Sequence, residues 1–130
     1  MTWFRARMRE MHDLLHVTAG YGRDPLGEAC VLAFTFAQNR SPGAAVIATV
    51  GAWRNLRRLK SLRAPRAVWE AYRQGRRAAW VIAADWEDLL AQPLESVRAR
   101  LRIAPPTQYP RLRTRSVAVI AAEQARLAAA

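Results

Sequence analysis

Cysteine is almost missing from this chain: Cys30 stands alone among 130 residues. No internal disulfide can form, and the expected compartment is a reduced one, the cytosol or the interior face of a membrane. Acidic residues are also few, 10 against 21 basic ones, leaving a formal charge of +11. Lysine is nearly absent, since Lys60 is the only one and every other basic residue is arginine. That skew reflects a GC-rich genome as much as selection for bidentate contacts, so composition alone overstates the case for nucleic acid. A pI near 11.5 does predict attraction to phosphate or to anionic membrane surfaces. Long apolar runs are lacking as well. The nearly uncharged stretches Val31 to Gln38 and Ser41 to Trp53 fall short of the ~20 residues a membrane-spanning helix needs. The first residues show no basic start followed by a continuous apolar segment, so no secretory signal is expected. Sustained period-two alternation, internal repeats and low-complexity linkers are absent too, and strands are not expected. With 52% hydrophobic residues, a chain this long buries roughly two-thirds of its unfolded surface. One all-α domain over residues 1–130 is the expectation.

What is present is helical periodicity. Phe4, Met8, Met11 and Leu15 recur on one face between Trp3 and Ala19, and Gly20 and Gly22 end that helix. Asp24 followed by Pro25 reads as an N-cap with proline at the first helical position, predicting a second helix to about Gln38. Its Ala29, Ala33 and Ala37 form a small-residue stripe suited to a close neighbour, and the short Gly20 to Asp24 connection makes the first helix the expected antiparallel partner. A third helix is predicted from Ala44 to about Leu59, apolar at first and basic after Trp53, through Arg54, Arg57, Arg58, Lys60, Arg63 and Arg66. Val68, Trp69, Tyr72, Ala79 and Trp80 outline a fourth helix after Pro65, weakened by Gly75 within it. Asp85 caps a short helix through Leu90, and Pro93 opens another carrying Leu94, Val97 and Leu101 that stops before Pro105-Pro106. The Ala-rich end, Val117 to Ala130, reads as a weak helix former with a frayed terminus, and 111–130 as a weakly ordered tail.

The two histidines, His12 and His16, stand four apart, which places both imidazoles on one face of the first helix, with the carboxylate of Asp13 beside them. These side chains supply the nitrogen and oxygen ligands of divalent metals. Glu28 joins them: His16 lies about one turn before the Gly20 to Asp24 connection and Glu28 about one turn after it, so an antiparallel pair sets them level. Glu28 shares its helix face with Leu32, Thr35 and Phe36, and an unpaired carboxylate buried there costs several kcal/mol (~3–5) or forces protonation. A metal shared with the histidines removes that cost; an ion pair with Arg5 or Arg9 is the competing reading. Arg5 and Arg9 lie on the histidine face one to two turns below, where they either steer an anionic head group towards the metal or form a solvated face. The quartet is not a zincin helix, whose general base is a Glu where Asp13 stands. It also lacks the separate His and Asp spacing of a His-Asp phosphohydrolase, and neither a Gly-rich phosphate loop nor a Ser-His-Asp set is available. Cys30 points to another side of its helix and reads as core.

His12-Asp13-x-x-His16, eleven residues, then Glu28 resembles the pattern of the ubiquinone (coenzyme Q) biosynthesis proteins of the Coq-four family. Arg9-Glu10 before the motif, Gly20 to Glu28 after it, Ala33 to Gln38 beyond, and Ile103-Ala104-Pro105-Pro106 with Tyr109 look like an alphaproteobacterial member, the likeness covering about residues 5 to 110. The resemblance implies His12, Asp13, His16 and Glu28 as ligands of a divalent metal, zinc first, with iron also compatible with two histidines and a carboxylate. It implies an all-α protein at the cytoplasmic face of a bacterial inner membrane, or the matrix face in mitochondria, within a complex of ubiquinone-biosynthesis proteins. The implied activity removes the ring carboxylate of a polyprenylated 4-hydroxybenzoate derivative and leaves a hydroxyl; a lipid-binding scaffold for the complex is the alternative. In the first reading the substrate's phenolic carboxylate meets the metal, with Asp13 as a fourth ligand or as an acceptor orienting a histidine.

Members of that family are longer, with roughly another half of the chain ahead of the motif. Either this chain compensates by oligomerising or it is a fragment, and in both cases the apolar run Ala44 to Trp53 is left partly exposed to bind a prenyl chain, a second protomer or a membrane. The stretch around Arg54, Arg57, Arg58 and Lys60 is the expected anion- or membrane-facing surface, and nucleic acid ranks last because arginine-rich helices without a binding motif are a weak footprint.

Overall fold

The computed structural model describes residues 2–130, apart from the side chains of residues 4, 5 and 8; the head-group reading of Arg5 therefore lies outside the described residues. Every regular element among them is helical: α1 (Thr2–Ala19), α2 (Pro25–Asn39), α3 (Pro42–Leu59), α4 (Arg63–Arg77), a single 3-10 turn (Val81–Ala83), α5 (Trp86–Leu90), α6 (Leu94–Leu101) and α7 (Tyr109–Ala129). The chain is all-α, as its periodicity predicts.

Local chemistry sets the helix starts. Asp24 caps α2 by accepting from the Gly27 N–H at 3.2 Å, with Pro25 at N1, and Asp85 caps α5 through the Asp88 N–H at 3.3 Å. Ser41 and Pro42 start α3 two residues earlier than predicted, because proline's fixed φ suits the first helical turn. Several ends need tertiary contacts instead. Arg98 of α6 donates to the Thr18 and Val17 carbonyls at 2.9 and 3.3 Å, and Arg115 of α7 donates to the Leu59 carbonyl at 2.6 Å. These last-turn carbonyls have no partner within their own helices, so part of the positive charge serves the fold.

Helix α2 is the hub, packed most extensively on α4 and α3 and also touching α1 and α7. Its Leu26, Ala29, Cys30, Val31, Ala33 and Phe34 are buried. Here the structure corrects the alanine stripe, which faces α3 and α4 rather than α1. A Cβ on Gly51 of α3 would lie 2.9 Å from the Ala29 Cβ, and one on Gly75 of α4 would lie 2.6 Å from the Phe34 carbonyl oxygen and 2.9 Å from the Ala37 Cβ. Gly75, read from sequence as a weak point of its helix, is the place where two helices cross at near-backbone contact. The amide of Gln38 pins the crossing, donating to the Gly75 carbonyl at 2.6 Å and accepting from the Val81 N–H at 3.1 Å.

Two boundaries differ from expectation. Helix α4 stops at Arg77, so Ala79 and Trp80 are not part of it: Ala78 is extended, and the Ala79 N–H donates to the Leu101 carbonyl at 2.8 Å, tying this segment to the end of α6. Helix α7 begins at Tyr109, eight residues before the predicted Val117. Its buried positions are only Tyr109, Leu112 and Ser116, with exposed Arg111, Arg113 and Arg115 between them, too narrow an apolar stripe to stand out by pattern.

Candidate metal centre

Helix α1 ends in a left-handed residue, Gly20 at φ 86°, a backbone state open to glycine without steric cost. The chain then turns into α2 under restraint from two other helices, α7 and α4. The Gly22 N–H donates to the Tyr109 hydroxyl at 2.9 Å, and that hydroxyl donates in turn to Asp24. Ser116 donates to the other Asp24 oxygen at 2.5 Å. From α4, Gln74 accepts from the Tyr21 hydroxyl at 2.9 Å and donates to the carbonyls of Ala19, at 3.2 Å, and Ala104, at 2.5 Å. Burial pushes both phenols well above their ordinary range, Tyr109 also through its hydrogen bond to Asp24, so both remain O–H donors. The connection is thus a rigid strut whose geometry fixes the approach of α1 to α2.

That approach brings three side chains together: the ligand atoms of His12, His16 and Glu28 lie within 4.8 Å of one another. The His12 Nε2 is 3.1 Å from Glu28 Oε2, the His16 Nε2 is 3.3 Å from Glu28 Oε1, and the two Nε2 atoms are 3.2 Å apart. The imidazoles meet edge to face, centroids 4.8 Å apart at 83°. His16 is nearly enclosed, its side chain 7% exposed, whereas those of His12 and Glu28 are 33% and 40% exposed, so the cluster opens to one side. The His16 Nδ1 lies 3.1 Å from the Tyr21 carbonyl. A carbonyl only accepts, so Nδ1 carries the proton, and in the neutral imidazole the Nε2 lone pair faces the cluster. The His12 Nε2 and the Glu28 carboxylate converge on that point, and with His12 in the same tautomer the three groups offer only acceptors, which a cation satisfies.

The spacing supports this. Zinc bonds of 2.0–2.1 Å to nitrogen or oxygen in tetrahedral geometry place neighbouring ligand atoms about 3.3 Å apart; the two nitrogens are 3.2 Å apart and each lies 3.1 to 3.3 Å from a different oxygen of Glu28, so a small rotation of the carboxylate completes the triangle. Two imidazoles and one carboxylate with an open side also suit catalytic zinc or non-haem iron. The residues present therefore fit a divalent ion.

Asp13 is not brought into the cluster. Its side chain is 60% exposed and faces Arg23 at 3.9 Å. Arg9 is exposed on α1, and the side chains closest to the Glu28 carboxylate among the described residues are the two histidines. Cys30 is fully buried, as expected, and burial raises its thiol well above the ordinary range. The run Ala44 to Trp53 divides by helix face: Ala44 and Ala48 are buried, while Val46, Ile47, Val50 and Trp53 are exposed. Arg54, Arg57 and Lys60 extend that exposed surface, and Arg58 pairs with Glu123 at 3.3 Å.

Sequence reasoning missed the surroundings of the triad. Met11, Leu15, Leu32, Val81 and Ile82 line an apolar cavity of about 200 Å³ that has His12 in its wall. Met11 and Leu15 were legible as one face of α1, but Val81 and Ile82 reach the site from a 3-10 turn that carries no periodic signal. The buried Gln74 and the half-buried Gln38 had no sequence signature either, since their role depends on backbone groups far along the chain.

The model of the family described as Coenzyme Q (ubiquinone) biosynthesis protein Coq4 matches residues 1–107. Among curated proteins, the "Ubiquinone biosynthesis protein COQ4 homolog, mitochondrial" of Danio rerio is 35% identical over 107 residues, covering 82% of this chain and 39% of the relative. The proteins of the same name from Rattus norvegicus and Bos taurus are each 35% identical, over 104 and 101 residues, covering 79% and 77% of this chain and 39% and 38% of the relatives. The chain thus spans about two-fifths of the length of these relatives. No solved structure matches it. The family model covers most of the chain and the relatives carry the same description, so the chain belongs to the Coq4 family of coenzyme Q (ubiquinone) biosynthesis proteins.

Proposed function

We propose that this chain takes part in ubiquinone biosynthesis as a metal-dependent protein, holding a divalent ion, zinc first, through His12, His16 and Glu28, and acting on the ring carboxylate of a polyprenylated 4-hydroxybenzoate derivative. The observation that carries this reading is the convergence of two Nε2 atoms and a carboxylate at 3.1 to 3.3 Å on a partly open face. A bound ion supplies a Lewis acid for carboxylate and phenolate oxygens. The protein's own groups do the rest. The Tyr21 carbonyl fixes the His16 tautomer, and the strut through Tyr109, Asp24 and Gln74 holds Glu28 level with the histidines. The apolar cavity beside His12, about 200 Å³, suits an aromatic ring, since a cavity of roughly 150 Å³ accepts benzene. Asp13, turned towards Arg23, stands at the rim and becomes a fourth ligand only by rotating inward. Partners in this reading are the substrate and other ubiquinone-biosynthesis proteins, at the cytoplasmic face of a bacterial inner membrane.

Metal content by mass spectrometry after mild purification tests the assignment. One equivalent of metal in the wild type and less than a tenth in His12→Ala and Glu28→Ala is the expected result; full metal in both variants overturns it. Catalysis is tested by restoration of ubiquinone in cells lacking the family protein, with His16→Ala failing to restore it.

A specific observation favours a second role beside the first. Val46, Ile47, Val50 and Trp53 form an exposed apolar face on α3 flanked by Arg54, Arg57 and Lys60, suited to a second protomer or to an anionic membrane on which the chain acts as a prenyl-lipid-binding scaffold. Among the described residues no helix is long and apolar enough to cross a membrane. Flotation with vesicles containing acidic lipid, weakening with salt, supports membrane docking; salt-independent dimerisation that Trp53→Ala abolishes assigns the face to a second copy.

A further inference from the structure

Away from the metal centre, Arg66, Arg73 and Arg77 of α4 and Arg102 at the end of α6 surround an open cleft of about 420 Å³ with Trp69 and Glu70 in its wall, a volume within the range of small-molecule sites. Spaced seven and four residues apart, the three α4 arginines fall within about 40° of one another around the helix. Like charges so placed repel. Among the described residues none of the four makes an ion pair. The one carboxylate at hand, Glu70, is committed elsewhere: its oxygens accept from the N–H and hydroxyl of Thr107, both at 2.5 Å, and from the Gln108 N–H at 3.3 Å.

Arg102 adds a second observation. It caps α6 in the left-handed region at φ 55°, as Arg40 and Lys60 cap α2 and α3, a state in which an L-residue is strained and glycine is not, and it adds a fourth arginine to the lining of the cleft from a second helix. Four planar forks around one concavity match the geometry of phosphate oxygens, which arginine binds bidentately. Trp69, 61% exposed and stacked on Tyr72 at 5.2 Å, forms one flank of the cleft and also lines the apolar groove between α3 and α4.

We propose that the cleft formed by Arg66, Arg73, Arg77 and Arg102 is a binding site for a phosphate group, separate from the metal triad. The phosphate is carried either by a soluble anion or by a lipid headgroup, and the test distinguishes the two. Inorganic pyrophosphate is titrated calorimetrically into the full chain, and flotation is measured with phosphatidylcholine vesicles with and without phosphatidylglycerol. Saturable 1:1 pyrophosphate binding assigns a soluble anion, whereas flotation that needs phosphatidylglycerol, without pyrophosphate binding, assigns a headgroup. In either case the double variant Arg73→Ala/Arg102→Ala weakens binding at least tenfold. The charge-matched control Arg111→Ala/Arg126→Ala, on α7, changes it less than twofold. His12→Ala leaves it unchanged, which separates this site from the metal centre. Arg102→Gly relieves the backbone strain, so thermal stability rises while affinity falls, a combination that a structural role for Arg102 does not produce. Equal weakening by the cleft and control pairs, or saturable binding of neither probe, overturns the proposal.

Discussion

Gly75→Ala sets two effects of opposite sign against each other at the contact on which the α2–α4 pairing depends. In an exposed helix interior, alanine is favoured over glycine by ~1 kcal/mol. At Gly75 the added Cβ would meet the Phe34 carbonyl oxygen at 2.6 Å, the Ala37 Cβ at 2.9 Å and the Phe34 Cα at 3.1 Å. All three belong to the backbone or first side-chain carbon of α2, so no flexible side chain can yield, and the helices must part by roughly 0.5–1 Å. Parting them stretches the Gln38 bond to the Gly75 carbonyl and loosens buried Phe34 and Ala71. Overpacking of this kind costs about 1–3 kcal/mol, and the weakened hydrogen bond adds ~1 kcal/mol. Overpacking wins, and the variant is expected to be destabilised by about 1–3 kcal/mol, lowering a urea midpoint by roughly 1 M at an m-value of ~2 kcal/mol/M. Gly43→Ala is the matched control, because its Cβ would meet only the Ser41 hydroxyl, at 3.9 Å; it is expected to be neutral or stabilising by up to ~1 kcal/mol. Urea unfolding followed by far-UV circular dichroism measures both. Stabilisation of Gly75→Ala equal to that of Gly43→Ala would refute the close crossing.

Three further outcomes follow from the same contacts. Asp13→Ala is expected to keep at least half of the wild-type metal content, unlike His12→Ala, because Asp13 faces Arg23 rather than the triad; loss of metal in Asp13→Ala would show that this carboxylate rotates inward to bind. Tyr109→Phe removes the hydroxyl shared by Gly22 and Asp24. It is expected to cost about 1.5–3 kcal/mol in urea unfolding and to weaken metal binding, since the strut that sets Glu28 is loosened; unchanged stability would contradict the network. Burial raises the Cys30 thiol in the native chain, so the native state keeps this proton where the unfolded chain releases it, near pH ~8.5. The associated stability is complete below that pH and declines above it. The wild type should thus lose stability from pH 8 to 10 more steeply than Cys30→Ala, and Cys30 should react with a thiol reagent only on unfolding; equal pH slopes would contradict the account.

Some of the fold is local chemistry, and that part was legible. Asp24-Pro25 and Asp85 act as caps where they were expected and so located α2 and α5, and the 3.6-residue period located α1 and α6. Other features rest on contacts between distant parts of the chain. Helix α4 ends at Arg77 because Leu101 takes the Ala79 N–H, and α7 is held from Tyr109 by the Asp24 network. The alanine stripe was visible as a surface for close approach, yet which helix it would meet depended on glycines more than 20 residues away, Gly51 and Gly75. The candidate site divides in the same way. His12 and His16 share a face by spacing alone, and Glu28 was placed level with them by counting turns.

By itself the amino-acid sequence determined the helical class, the capped helix starts, the pairing of the two histidines and the family pattern, because each of these depends on residues a few positions apart or on a fixed spacing. Tertiary structure alone decided that Asp13 turns away from the histidines towards Arg23, that the Tyr21 carbonyl sets the His16 tautomer, that an apolar cavity opens beside His12, and that four arginines from two helices line one cleft. The physical reason is that these outcomes depend on how α1, α4, α6 and α7 settle around α2, and that arrangement is chosen by close packing and buried hydrogen bonds between residues as far apart as Asp24 and Ser116.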